Sequence, residues 1–526
     1  MTGASSRIGA ALVPSGSTLT TEVVQVRPLR RAGRRPCLSR KGALVSRLAA
    51  VSVTREQAFR ATEAVLNYGV AMAELSGIDG KRARARLESE NARFIAERPR
   101  STALLERARR SMPRGVPMSW MDDLYEHPPV WVSHGQGAHF TDVDGHRYLD
   151  MYVADMSAFC GHAPTAVVDA VSAQIARGNQ FLLPTEDAIA VAEHLATRYG
   201  LPQWQFTSSA TQANTEVIRI AREMTGRGGI LLFDGKYHGE GDATLVVLED
   251  GEVVPEMRGL PGWITGQARV VPFNDVAALE TALAADDVAL VLAEPAMTNA
   301  GFLLPEEGFH DALRRLTREH GTLLAIDETH SLVCSYGGLT GKWGLDPDML
   351  VVGKAIAAGV PLAAYGMRDE IASLIAPPEQ SRVVSGVVVG EVSTGGTLFA
   401  NALSMAAGRA ALLEVLTEDA FEHTATLGER MAAGLREAIA RAGVEWSVAG
   451  VGGHAYYFFA PTPPSDAAGS RAADDPDLRA LIRVFMANRG VWESGWWLGP
   501  TVSVAHDESH VDRYVELFGE FLSEVT

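Results

Sequence analysis

The chemistry that this sequence offers starts from two adjacent acids and one lysine. In LLAIDETHSL, residues 323 to 332, four apolar residues run into Asp327 and Glu328. A short Leu/Ala/Ile run of this kind reads as a strand buried on both faces, so both carboxylates are expected at its C-terminal end. Lys354, in MLVVGKAIAAGVPLAAYG (349 to 366), is the only charged residue in eighteen and follows a second run of the same kind. Apolar surroundings favour the neutral amine of a lysine, which makes it a nucleophile able to form a Schiff base. The plainer alternative is a strand-end lysine whose head reaches solvent.

An apolar strand ending in two acids is also how many ATPases hold magnesium, but that reading needs G-x-x-x-x-G-K-[ST] upstream. The Gly-Lys pairs at Gly80, Gly235, Gly341 and Gly353 all lack a glycine five positions earlier combined with a following Ser or Thr. A third stretch, QFTSSATQANTEVIRIAREMTGR (205 to 227), sets a Ser/Thr-rich turn before an amphipathic helix with Val217, Ile218, Ile220, Ala221 and Met224 on one face. Free N–H groups at a helix start beside small hydroxyls make an anion cradle suited to a phosphate. Simple N-capping accounts for the same residues. His506 and His510 have i, i+4 spacing, but Asp507 and Ser509 between them read as helix-start chemistry, so no metal is expected there.

These groups need one scaffold. Between about 165 and 415 short apolar runs alternate with helical segments: GGILLF (228 to 233), VALVLA (288 to 293), TLLAI (322 to 326), MLVV (349 to 352) and PLAAYG (361 to 366). The alternation predicts an α/β fold, a mainly parallel sheet flanked by helices, with ligands gathering beyond the carboxyl ends of its strands. Residues 51–164 read as an N-terminal helical segment, Thr54 to about Arg110, followed by a hairpin in GAHFTDVDGHRYLDMY (137 to 152) around an Asp-Gly turn. Both are expected to join a small α+β domain completed by residues 416–526. That part has strands expected in GGHAYYFFAP and WWLGPTVSVAH and an amphipathic helix from His510 to Val525. The insert 462–477 is poor in apolar residues and is expected as a loop.

The 526 residues are 47% hydrophobic and 21% charged, ordinary for one large globular domain or two to three modest ones. No apolar run approaches the ~18 residues of a membrane span. Net charge is −17, yet residues 1–50 hold nine Lys/Arg against Glu22 alone, leaving 38 basic and 63 acidic residues in the rest. So acidic a body is a poor match for nucleic acid. Cys37, Cys160 and Cys334 form neither a disulfide framework nor a metal knuckle, and a reducing, cytoplasmic setting is expected. Residues 1–50 lack the apolar core of a secretory signal and read as a disordered basic leader, while their acid-poor composition also matches organelle targeting.

Six motifs then form a pattern. SSAT ahead of the helix, FDGKYHG (233 to 239), AEPAM (293 to 297), AIDETHS, VVGKAIAAGVPLAAYGM and STGGTLFANALSMAAG (393 to 408) occur in one order. That order and its intervals resemble the class III pyridoxal-phosphate aminotransferases, most of all the glutamate-1-semialdehyde aminomutase-like subgroup. The resemblance covers roughly residues 110 to 526, and the 27 positions between Asp327 and Lys354 fit it. It implies a fold-type-I transferase with a seven-stranded central sheet in a large domain, 165–415, and pyridoxal 5′-phosphate as cofactor. By this resemblance Lys354 carries the cofactor as a Schiff base and later shuttles a proton, Asp327 faces the pyridine nitrogen, Tyr237 stacks on one ring face and Thr329 covers the other. Ser209, Ala210 and Thr211 would hold the phosphate, and His238 and Glu294 also fall at cofactor positions. Two subunits share each site in the family, so Gly396 and Thr397 are expected to serve the partner's cofactor in a homodimer.

Some positions depart from that pattern: Ala210 stands where Gly, Gln212 where Glu and Thr329 where Val is common, and Met156 lies near a tryptophan of the aminomutase. Substrate contacts are expected from 114–123 and 152–162. The candidates are Trp120, Met156 and Phe159 as apolar walls, Arg114 as a carboxylate clamp, and His330 beside the lysine. Core packing explains the three apolar residues equally well, and a solvated guanidinium is the simpler reading of Arg114. The expected function is transfer of an amino group between an amino acid or amine and an oxo acid or aldehyde. An aminomutase or an ammonia-lyase would use the same residues and stays open, as does, more distantly, a protein that binds the cofactor without turnover.

Overall fold

The computed structural model describes residues 77–375, 382–384, 387–389, 392–493 and 499–526. The basic leader and the first part of the expected helical segment, to residue 76, lie outside these. Helices α1 (Gly80–Ala96) and α2 (Pro99–Ala108) come first, as their charged periodic pattern predicts. They lead to β1 (Val132–Gln136), β2 (His139–Asp142) and β3 (Arg147–Asp150), all antiparallel, with Phe140 opposite Tyr148 across the expected hairpin. β1 was not foreseen, because its residues are nearly all exposed and show no apolar alternation.

Helices α3 (Thr165–Ile175) and α4 (Glu186–Tyr199) precede β4 (Gln203–Thr207), α5 (Ala210–Thr225), β5 (Gly229–Phe233), a hairpin of β6 (Val246–Glu249) and β7 (Glu252–Pro255), and β8 (Ala268–Val271). Then come β9 (Val288–Ala293), β10 (Leu323–Asp327), β11 (Met349–Val352) and β12 (Ala363–Met367). Without the hairpin these strands form one seven-stranded sheet in the order β4-β12-β11-β10-β9-β5-β8. All run parallel except β12, which is antiparallel to both its neighbours. The five apolar runs are β5 and β9 to β12. β9 and β11 are buried along their whole length, which is why their sequences run apolar without alternation. Alternate residues enter separate cores: Leu231, Val291, Ile326 and Leu350 on one face, Leu232, Leu292, Ala325 and Val351 on the other. β4 and β8 escaped the sequence reading because they are the sheet's two edges, short and mixed with polar residues.

Beyond a short pair, β13 (Arg382–Val384) and β14 (Val387–Val389), lie α6 (Ala402–Ala410), α7 (Glu418–Ala442), a hairpin of β15 (Ser447–Ala449) and β16 (Tyr456–Phe458), α8 (Pro476–Ala487), β17 (Val491–Trp492) and α9 (Glu508–Val525). β17 pairs in parallel with β3, Val491 opposite Leu149, so the early hairpin and the C-terminal region share one sheet. Leu427, Met431 and Leu435 of α7 and Tyr514, Phe518 and Phe521 of α9 form a further core with Leu149 and Met151.

Three expectations need correction. WWLGPTVSVAH was read as a strand; its described part, residues 499–506, makes only an isolated bridge, Thr501 to His454. The insert 462–477 is not a plain loop: it contains the helix Ala467–Ala472, capped by Asp466 and tied down by Arg471 on Asp234 at 2.8 Å. Met224 does not share the buried face of α5 and is 41% exposed, past Ala221, the last buried residue of the helix. No helix among the described residues is long and apolar enough to cross a membrane.

Candidate active site

Asp327 ends β10 and Glu328 follows it, and extended backbone sends them opposite ways. Glu328 turns inward and is fully buried, accepting from Ser331 Oγ at 2.6 Å, from the Leu339 N–H at 3.2 Å and from the Thr340 N–H. Burial pushes its carboxyl above the usual range against these donors. It pins the turn that starts a short helix at Gly338, where φ is 64° and a Cβ would sit 2.6 Å from the Glu328 carboxyl carbon. Asp327 points along the carboxyl edge of the sheet instead. It accepts from Asn214 Nδ2 at 2.8 Å, His238 Nδ1 at 2.9 Å, the Thr329 N–H at 3.0 Å and Thr329 Oγ1 at 2.5 Å. Burial alone would raise its carboxyl, but these donors, His238 foremost, hold it down at about 2, a buried anion.

β11 lies parallel beside β10, with Val351 opposite Asp327, so the residue two past its end, Lys354, opens onto the same edge. Lys354 has a left-handed backbone, φ 48°. Its surroundings differ from the apolar ones read from the sequence. Nζ donates to Asp155 Oδ2 at 2.5 Å and to His330 Nε2, because the loop after β3 packs across the end of β11. Burial pushes the Asp155 carboxyl up, but the Lys354 ammonium foremost, with His330 beside it, outweighs burial and leaves it below the usual range. His330 Nδ1 in turn lies 2.6 Å from Thr298 Oγ1. Thr298 donates its hydroxyl, at 2.5 Å, and its N–H, at 3.1 Å, to Glu294, whose other oxygen accepts the Tyr237 N–H at 3.1 Å. With the Thr298 proton spent on Glu294, the Thr298 oxygen accepts from His330 Nδ1, and Nε2 faces the lysine as an acceptor.

The start of α5 completes the site. Its ladder begins with Gln212 and Ala213 bonding to the Ser209 carbonyl at 3.1 and 3.2 Å, so the N–H groups of Ala210 and Thr211 point out of the helix end. Gln212 Oε1 accepts from the Ser208 N–H and from Ser209 Oγ, each at 3.2 Å, so it braces the turn as a neutral group. Two glycines show how closely the pieces meet. A Cβ on Gly353 would lie 3.3 Å from Ala210 Cβ and 3.4 Å from Thr329 Cγ2; one on Gly239, φ 86°, would lie 2.1 Å from Thr211 Oγ1. Asn214, one turn further along α5, bonds both Asp327 and the His238 carbonyl.

This arrangement has close counterparts. The profile described as "Aminotransferase class-III" matches residues 121–454. The chain belongs to the class-III aminotransferase family. Glutamate-1-semialdehyde 2,1-aminomutase of Anaeromyxobacter dehalogenans (strain 2CP-1) is 34% identical over 394 residues, 74% of this chain and 89% of its own. A glutamate-1-semialdehyde aminomutase from Pseudomonas aeruginosa PAO1 superposes with a TM-score of 0.81 at 37% identity, over 86% of this chain and 100% of that one. A lysine-to-alanine variant of it was solved in complex with PMP. An omega-transaminase from Sphaerobacter thermophilus gives a TM-score of 0.75 at 33% identity, over 81% of this chain and 97% of its own. The fold is that of the fold-type-I class-III enzymes, and pyridoxal phosphate is their cofactor.

The donor set here fits that group. A helix N-terminus suits its phosphate, a buried anion suits its ring nitrogen, and a lysine amine suits its aldehyde. His238 Nε2 is buried without a partner among the described residues, on the far side of the ring that braces Asp327. Of the residues nominated from the sequence, Ala210, Thr211, Tyr237, His238, Glu294, Asp327, Thr329, His330 and Lys354 converge, with Ser209 exposed at the mouth. Tyr237 is 41% exposed, its hydroxyl 3.4 Å from Glu240. Met156 and Phe159 are buried in the core, and Trp120 sits half-exposed on a single helical turn. Arg114 pairs with Asp122 at 2.8 Å and with Asp123 at 2.5 Å. Gly396 and Thr397 are exposed, the Thr397 carbonyl accepting from Gln180. Sequence reasoning overlooked Asn214, Thr298 and Asp155. Asp155 had a signal: it is the only charge between Asp150 and His162.

Proposed function

We propose that this class-III enzyme moves an amino group from an amino acid or amine to an oxo acid or aldehyde, with pyridoxal phosphate as carrier. The observation behind the reading is that a lysine amine, a buried carboxylate held ionised and a free helix N-terminus meet at one edge of the sheet. When bound, the cofactor supplies an aldehyde that takes up amines and a ring that draws electrons from the carbon beside the nitrogen. Asp327 keeps a proton on the ring nitrogen as its charge partner. The N–H groups of Ala210 and Thr211, with the Ser209 hydroxyl, hold the phosphate. Tyr237 and Thr329 would flank its ring. Lys354 would carry the cofactor through its amine and, when that amine is free, would hold and move a proton at Nζ. Gly396 and Thr397 serve the site of a second subunit in a homodimer, for which light scattering should give twice the 56.3 kDa chain mass.

A second reading, an intramolecular aminomutase, draws support from relatives at 33–34% identity that bear that name. The same residues serve it. A visible spectrum taken with a panel of amines, then with oxo acids, separates the two. Bleaching by an amine and recovery with an oxo acid is transamination. An isomer formed with no acceptor is the mutase, and ammonia released with no acceptor is elimination. Lys354→Ala should abolish turnover in every case, and a variant with full activity would overturn the proposal.

A further inference from the structure

The carboxylate on Lys354 lies outside the six motifs that carry the family resemblance. Asp155 belongs to the stretch after β3, where Val153, Ala154, Asp155 and Met156 have φ of 55°, 45°, 55° and 68°. Successive L-residues in the left-handed region are unfavourable, most of all the β-branched Val153. The turn is held in place from several sides. Asp150 Oδ1 accepts the N–H of Tyr152 at 3.1 Å and of Val153 at 2.8 Å, and its Oδ2 meets His162 Nε2 at 2.8 Å. The Ala158 N–H donates to the Val153 carbonyl at 3.1 Å. Val153 and Met156 are buried in the core on either side. Strain persists only where the surroundings over-determine it. Here its product is one carboxylate delivered to one amine.

We propose that Asp155 is a positioning residue for Lys354: its carboxylate holds the reacting nitrogen in place and supplies the negative charge which that nitrogen faces. The proposal rests on Lys354 being the residue that carries the cofactor. The charged and titratable groups around the nitrogen are Asp155 from the turn, His330 after β10, and Tyr237 and Tyr152 facing Asp155. His330 presents its acceptor nitrogen, and Asp327 is engaged by His238, Asn214 and Thr329. Asp155 is thus the one anion in contact with Nζ among the described residues.

An anion at contact distance favours the protonated form of a nitrogen. In the holoenzyme that proton is visible, because the long-wavelength absorption of the bound cofactor fades as the proton leaves. Asp155→Asn keeps the shape and removes the charge. Its absorption midpoint should fall by about one pH unit or more, a tenfold loss of proton affinity, while Asp155→Glu should stay within about half a unit of the parent. An Asp155→Asn protein with the parent's melting temperature and the parent's midpoint would overturn the proposal. Should that variant not fold, Asp155→Ser, smaller and also uncharged, gives the same reading. No amine substrate is needed. A shifted midpoint in a protein that turns over no amine keeps the role of Asp155 and sinks transamination; turnover with an unmoved midpoint does the reverse.

Discussion

Two neighbouring acids with one sequence context end in opposite roles, and each invites its own test. Asp327→Asn removes the carboxylate proposed to pair with the ring nitrogen and should slow amine-driven bleaching by about 100-fold or more, read by stopped flow, with folding intact. Glu328→Ala strands two buried N–H groups, those of Leu339 and Thr340. It should lower unfolding stability by about 3 kcal/mol, read by urea titration, while any activity at permissive temperature stays near the parent's. Asp327 was legible from the sequence, because a buried strand fixes where its C-terminal residue emerges. Which acid faces out came only from the family resemblance, since the apolar pattern does not distinguish the strand's last residue from the next. Asp155 was less legible still. Its direction follows from left-handed φ values that no composition or periodicity announces, so Met156 and Phe159 were named from that stretch as apolar walls and Asp155 was not.

At the scale of elements, the site is made where two chain turns, at Gly239 and Gly353, come close to the start of α5. Gly239 is the tighter of these. Gly239→Ala would put a methyl on the Thr211 side chain in a backbone region that disfavours it. The expected outcome is cofactor retention weakened by about tenfold or more, measured by dialysis against free cofactor, with retention at the parent's level counting against the assigned phosphate cradle. The central strands were readable since burial on both faces leaves a continuous apolar run. The edge strands β4 and β8 were not, since half of an edge faces polar surroundings and its pattern fades into the adjoining loops. The helix Ala467–Ala472 escaped for a different reason: an aspartate cap and an ion pair to Asp234 hold it, with few apolar residues of its own.

For the whole molecule the buried histidines set the acid limit. His127, His454 and His506 are each pushed down to about 3 by burial, and each has an Nε2 without a partner among the described residues. The fold keeps them neutral, whereas the unfolded chain protonates them below about 6.5. Their stabilising contribution is complete above that pH and is lost as pH falls toward 3, by about 2 kcal/mol apiece at pH 5. The urea midpoint should therefore drop clearly between pH 7.5 and pH 5, and a flat profile would contradict the burial of these rings. Asp327 adds a later loss of the same sign, between about 4 and 2. The thiol of Cys160 lies under the turn that carries Lys354, its sulfur 3.8 Å from the Ala355 carbonyl, with burial pushing the thiol up to about 12. A thiol so placed reacts with an alkylating reagent only when the floor of the site opens. Its labelling rate is thus a clock for local breathing beneath Lys354, readable by mass spectrometry while the rest of the fold stays shut.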